Sequence, residues 1–189
     1  MKFANASATS QKLESIITAA VQDEAARIPG LTCVVVSKDG STLFQHSAGT
    51  RGVTSQEPVT EDSIFWIASC TKMITAVCCM QLVEQGTLAL DDSEQLEGLL
   101  PEFKGLEVLK EDGTTEPKKK GITLRMLLTH TAGFGYTFFS ERLRDWSYPG
   151  GLDEFSGDIR DIKQPLLFQP GERWEYGVSN REELQLHGY

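Results

Sequence analysis

Positive charge is scarce in this chain of 189 residues: Lys and Arg total 18 against 27 Asp and Glu, a net charge of -9. An acidic chain repels phosphate backbones and anionic lipid surfaces, which argues against nucleic-acid or membrane binding as its task. The single basic run, Lys118-Lys119-Lys120 between Pro117 and Gly121, is expected to be a solvated loop. Long apolar runs are also lacking. No stretch reaches the ~20 residues that a membrane helix needs. Met1 to Ala20 holds no apolar core of the kind a secretory signal carries. The expectation is a cytoplasmic protein.

Histidine and cysteine are few. His46, His130 and His187 are scattered, with no metal-ligand spacing to cysteines, so a zinc site is not expected. No cofactor is expected either. Cys33, Cys70, Cys78 and Cys79 lie in apolar surroundings and two are adjacent. They read as reduced core residues rather than a disulfide framework. What is present is a globular composition, 40% hydrophobic and 24% charged, which excludes wholesale disorder and supplies one sizeable core.

The chain reads as a mixed α/β (α+β) domain over 1–189. Leu13, Ile16, Ile17, Ala20 and Val21 recur at helical spacing, with Ser10 as a cap and Pro29-Gly30 as a stop. Leu31 to Ser37 and Thr42 to Ser47 are strand-like, and Lys38-Asp39-Gly40-Ser41 between them is a hairpin signal. Thr71 to Val83 is apolar on almost every face, which predicts a buried central helix closed by Gly86. Residues 91–120 read as a surface excursion. Ile122 to Thr129 predicts a short helix, 140–165 irregular chain, and Gln169-Pro170-Gly171-Glu172 a turn. Asn180 to Tyr189 shows no clear pattern.

The sharpest chemical feature is Ser69-Cys70-Thr71-Lys72. A spacing of three places the two side chains on one helical face. A serine hydroxyl is a poor nucleophile until a base takes its proton. A lysine serves only when it is neutral part of the time, which burial and a helix N-terminus both favour. The bland alternative keeps Ser69 as a helix cap and lets Lys72 snorkel to solvent. His130 reads as a buried, hydrogen-bonded structural histidine, with a catalytic acid or base as the lesser alternative, Trp66 and Trp174 as packing aromatics or as lining of an acyl pocket, and Cys70 as a small core residue. Gly133-Phe134-Gly135-Tyr136 reads as a flexible loop near the site.

The run Phe65 to Ala76 resembles the nucleophile segment of serine β-lactamase-related proteins. Gly86 to Asp92 looks like the turn that follows it there, and Ile122 to Gly133 is similar to that family's long Thr-His-Thr block. Gln169 to Tyr176 resembles the segment that carries the family's tyrosine. The group includes class C β-lactamases, D,D-peptidases, family VIII esterases and the fungal acyltransferase of lovastatin biosynthesis. The Tyr176-Gly177 pair looks most like the esterase and acyltransferase branch. The resemblance implies a β-lactamase/transpeptidase-like fold. It implies Ser69 as nucleophile, Lys72 as the base or as the group that holds its partner's charge, and Tyr176 as proton shuttle. The implied reaction is acyl transfer through a serine ester in fungal-type secondary metabolism. Its substrate would be a small ester or thioester, with a carrier-bound acyl donor as one option.

The resemblance ends near Ser179, and the family's C-terminal strands, third motif and one oxyanion-hole N–H have no counterpart. A truncated chain is therefore expected, with a rate loss of roughly 100- to 1000-fold from the missing donor. A catalytically inactive remnant or binding module, and a β-lactamase or D,D-peptidase, are the alternative readings.

Overall fold

The structure, a computed structural model, describes residues 6–25, 28–148, 150–152, 154–155 and 163–178. It divides into two units, Met1–Trp66 and Ile67–Tyr189.

In the first unit a helix, α1 (Ala6–Gln22), precedes two antiparallel strands, β1 (Gly30–Val36) and β2 (Thr42–Gly49). The register pairs Leu31 with Ala48 and Val35 with Phe44. The turn forms where Asp-Gly requires it. Gly40 takes φ +85°, and Asp39 accepts from the Ser41 backbone N–H at 3.0 Å. α1 packs on β2, and Ile17 of the helix and Phe44 of the strand are both buried. The helix begins before Ser10, which therefore lies inside it rather than capping it.

The second unit holds α2 (Thr71–Glu84), α3 (Ser93–Leu99), a short hairpin of β3 (Glu107–Leu109) and β4 (Thr115–Pro117), α4 (Leu124–Leu128) and α5 (Glu141–Ser147). Three of the helix starts are fixed by side-chain caps. Asp92 accepts from Gln95 N–H, Thr123 from Met126 N–H and Ser140 from Leu143 N–H. The main core gathers Leu96, Leu100, Phe103 and Val108 with Ile122, Leu127, Phe134 and Leu166. The stretch 91–120, expected to be a surface excursion, thus supplies a large part of that core. Its charged residues disguise apolar ones that face inward. Lys118 is likewise not simply solvated. It pairs with Glu97 at 2.9 Å, both side chains little exposed. α5 lies in a stretch expected to be irregular; it is short, and only Leu143 is buried.

Two expectations reverse between loop and helix. Gly133 to Tyr136 is packed rather than flexible: Phe134 and Tyr136 are buried, and a Cβ on Gly133 would meet the Phe168 carbonyl oxygen at 2.6 Å. Conversely, α2 is not a buried helix. Thr75 and Cys79 are buried, with Cys79 packed among Leu88 and Leu124, while Met73 is 72% exposed and Ile74, Val77 and Met80 are exposed beside it. An all-apolar sequence records a helix suited to neighbours on every side; among the described residues they stand on one.

The segment 164–178 connects the core to the site. Leu166 runs parallel to β3, donating to the Glu107 carbonyl at 2.8 Å, while Leu109 N–H donates to the Leu166 carbonyl at 2.7 Å. Further along, Leu167 N–H donates to the Gly133 carbonyl, Gly171 N–H to that of Thr131 and Glu175 N–H to that of His130. This ladder lays the segment against residues 130–133 and brings Tyr176 to a fixed place. Asn180 to Tyr189 lies outside the described residues.

Candidate active site

Ser69 sits in a 3-10 turn, Ala68–Cys70, that runs directly into α2. The residue before it, Ala68, has φ +44°, in the left-handed region that costs a side chain about 1–2 kcal/mol. Lys72 is in the first turn of α2, and its Nζ donates to Ser69 Oγ at 3.5 Å. Tyr176 arrives from the 164–178 segment and its hydroxyl donates to the same Oγ at 2.8 Å. Lys72 Nζ also stands 5.2 Å from the centre of the Tyr176 ring. The three residues singled out in the sequence are therefore brought together. The apolar cradle expected around them is not formed, because Ser69 is exposed and Lys72 half-buried.

The electrostatics favour a more acidic phenol. The Tyr176 pKa is lowered from its ordinary 10, first by the hydrogen bond with Ser69, then by the hydrogen bond and charge of Lys72, with burial opposing.

His130 holds Tyr176 in position. Its ring lies 4.7 Å from the Tyr176 ring. Its carbonyl accepts from Glu175 N–H at 3.0 Å, and its Nδ1 accepts from Gly177 N–H at 3.5 Å. The residues on both sides of Tyr176 are thus tied to one histidine. Its backbone has φ +55°, so Ala68 and His130, both at this site, are the non-glycine residues with positive φ among those described. Strain of this kind persists where surrounding contacts over-determine the backbone.

The Nδ1 bond requires neutral imidazole. The His130 pKa is lowered from 6.5, first by burial and then by repulsion from Lys72. The unfolded chain binds this proton more readily than the folded one. Its contribution is therefore full above pH 6.5 and is lost as pH falls toward the lowered folded value. His130→Asn keeps an acceptor, suits a left-handed backbone and does not titrate. In Tm measurements from pH 5 to 8 the variant is expected to lose less stability on the acid side than the parent. Equal slopes would contradict the burial of a neutral imidazole.

Gly177 explains the close approach. A Cβ there would sit 2.3 Å from the Phe134 carbonyl oxygen and 2.8 Å from Gly135 N, both backbone atoms that cannot swing aside. Gly177→Ala is expected to cost about 2–4 kcal/mol, above the usual overpacking cost because backbone must move. Denaturant unfolding measures it, and a change below about 1 kcal/mol would contradict the packing.

Other expectations are corrected. Trp66 is 94% exposed and Trp174 is mostly exposed, so neither is a packing aromatic, although the Trp174 ring stands edge-on to His130 at 6.4 Å. Cys70 is exposed rather than in the core, and the four cysteines carry no disulfide. Among the described residues no three His, Cys, Asp or Glu side chains stand close enough to hold a metal ion, and no helix is long and apolar enough to cross a membrane. The sequence reading missed the part played by Tyr136, whose ring lies 5.8 Å from Tyr176, and by Phe138 and Phe155 beyond it. The available signal was the density of aromatics from Phe134 to Phe139.

A family model described as beta-lactamase matches residues 13–182. The acyltransferase mokF of Monascus pilosus is 33% identical over 187 residues, covering 93% of this chain and 44% of that protein. The lovastatin esterase of Penicillium rubens is 32% identical over 161 residues, covering 80% of this chain and 40% of that one. Among solved structures, unliganded simvastatin synthase from Aspergillus terreus superposes with a TM-score of 0.74 at 26% identity, over 94% of this chain and 47% of that chain. The chain therefore spans less than half the length of these relatives.

Proposed function

The chain belongs to the beta-lactamase family, and from that premise we propose that it carries the nucleophile centre of a serine esterase or acyltransferase. The observation that supports this most is a single oxygen, Ser69 Oγ, bonded by the Tyr176 hydroxyl at 2.8 Å and reached by Lys72 Nζ at 3.5 Å. The match of the family model runs through both units, which supports one β-lactamase-related domain over 1–189.

The proposed course begins with Tyr176 as phenolate, a form favoured by its lowered pKa and the neighbouring Lys72 ammonium. The hydrogen bond then reverses, and the Ser69 hydroxyl donates to the Tyr176 oxygen. Ser69 Oγ attacks the ester carbonyl as its proton passes to Tyr176. The tetrahedral intermediate collapses, the C–O bond to the leaving alcohol breaks, and Tyr176 returns the proton to that alcohol. An acyl group now rests on Ser69. Water or a second alcohol gives its proton to Tyr176 and attacks the acyl carbon, and the proton returns to Ser69 as it leaves. No metal and no cofactor enters these steps.

The relatives named acyltransferase and lovastatin esterase support a small-molecule ester or acyl donor as substrate, with a carrier-bound thioester as a donor of the same chemistry. Cysteines outside disulfides support a cytoplasmic setting. The test is cleavage of p-nitrophenyl acetate by the purified chain. The expected result is a burst of about one equivalent of nitrophenol per chain, followed by turnover that an added alcohol accelerates by taking the acyl group. Release no faster than in buffer would overturn the reading.

A further inference from the structure

One side of α2 is uncovered among the described residues, and its pattern is that of a helix built to pair. Ile74, Val77, Gln81 and Glu84 follow at spacings of three and four, the seam positions of a two-helix pair, with Met73 and Met80 beside them. All six are exposed, Ile74 and Val77 by just over half, whereas Thr75 and Cys79 on the opposite side are buried. Methionine adds a flexible apolar surface that adapts to a neighbour. A contiguous apolar stripe of this kind marks a surface of contact rather than of solvation.

Three observations select a second copy of the same chain as that neighbour. From Met73 to Val83 the helix carries no charge, on a chain of net charge -9. Two copies repel elsewhere, and this side lets them approach. Glu84 stands in the last turn of α2, at the negative end of the helix dipole, and no basic residue offsets it there. In an antiparallel pair it lies beside the positive N-terminal end of the other copy's α2, so that each end complements the other. The stripe also presents enough area: two copies joined along it bury on the order of 1,000 Å², the lower bound for a specific interface. We propose that α2 is a homodimer contact, two copies packing antiparallel across a two-fold axis near the middle of the helix. The two-fold closes the contact, so assembly stops at two. Ser69, Lys72 and Tyr176 take no part in the pairing.

The test is sedimentation equilibrium of the full chain at concentrations up to about 100 μM. The parent is expected to reach twice the chain mass with a Kd on the order of 1–10 μM, as suits an interface of modest area. Val77→Asp, which sets two carboxylates face to face at the seam, is expected to raise Kd at least about 100-fold. Glu84→Lys separates pairing from folding. A lysine suits the last turn of its own helix, so this variant should melt no lower than the parent yet dimerise about tenfold more weakly. A parent that stays monomeric at about 100 μM, that assembles beyond two, or whose Kd either variant leaves unchanged, overturns the proposal. Should circular dichroism show Val77→Asp unfolded, Val77→Gln, a better helix former, replaces it with an expected rise of about tenfold, and an unchanged Kd overturns the pairing.

Discussion

Ser69→Ala is expected to lower ester cleavage by about 10,000-fold or more, to the level of background, and to leave no acyl group on the chain. The size follows from the chemistry. Tyr176 and Lys72 both address Ser69 Oγ, so removing that oxygen leaves two proton carriers with no nucleophile to serve. Residues that act as a unit are not additive, and adding Tyr176→Phe to this variant is expected to reduce the rate little further. Because Ser69 is exposed and packs against little, the variant should melt within a few degrees of the parent. Steady-state cleavage of a chromogenic ester, with circular dichroism as the control for folding, measures both. Cleavage that survives the substitution would place the nucleophile elsewhere.

Tyr176→Phe carries the second largest expected effect, a loss of about 100- to 10,000-fold in kcat. The substitution removes one oxygen and keeps the ring that lies against His130 and Tyr136. Binding should therefore change less than kcat. The pH profile separates this role from a structural one. A phenol with a lowered pKa gains its basic form as pH rises, so the parent's acylation rate should climb with pH and level off below the ordinary phenol value of 10. The variant should lack that limb. Equal profiles in parent and variant would remove Tyr176 from the proton path.

Parts of this were written in short-range signals. Asp39-Gly40 sets a turn by backbone preference alone, and the hairpin follows. Ser69 and Lys72 are three residues apart, a spacing that needs only a helical turn to join them, and the 3-10 geometry before α2 provides one. Tyr176 is 107 residues from Ser69, and no local rule connects them. The resemblance to known motifs named it; the ladder from Leu166 to Glu175 and the bare Cα of Gly177 are what place it.

The parts that were not legible share a cause. The helix α2 reads as buried because apolarity reports what a helix can pack against, not what stands beside it. Residues 91–120 read as surface because Glu97 and Lys118, which pair in a nearly buried bridge, look like solvated charges one at a time. His130 is expected to be buried and hydrogen-bonded; it is only half-buried, while its bonds to the segment around Tyr176 are formed. Its hold on the two flanking residues depends on a left-handed backbone that periodicity does not reveal. The aromatic stack needed Phe155 to meet Phe138 across an intervening helix, α5, that the sequence reading did not contain.

One measurement bears on the whole account: treatment of the folded chain with a serine-reactive phosphonate, followed by mass spectrometry of its peptides. The account predicts a single adduct on Ser69, absent from Ser69→Ala and formed far more slowly in Tyr176→Phe. A folded chain that takes up no phosphonate, or one that carries it on another residue, would contradict it.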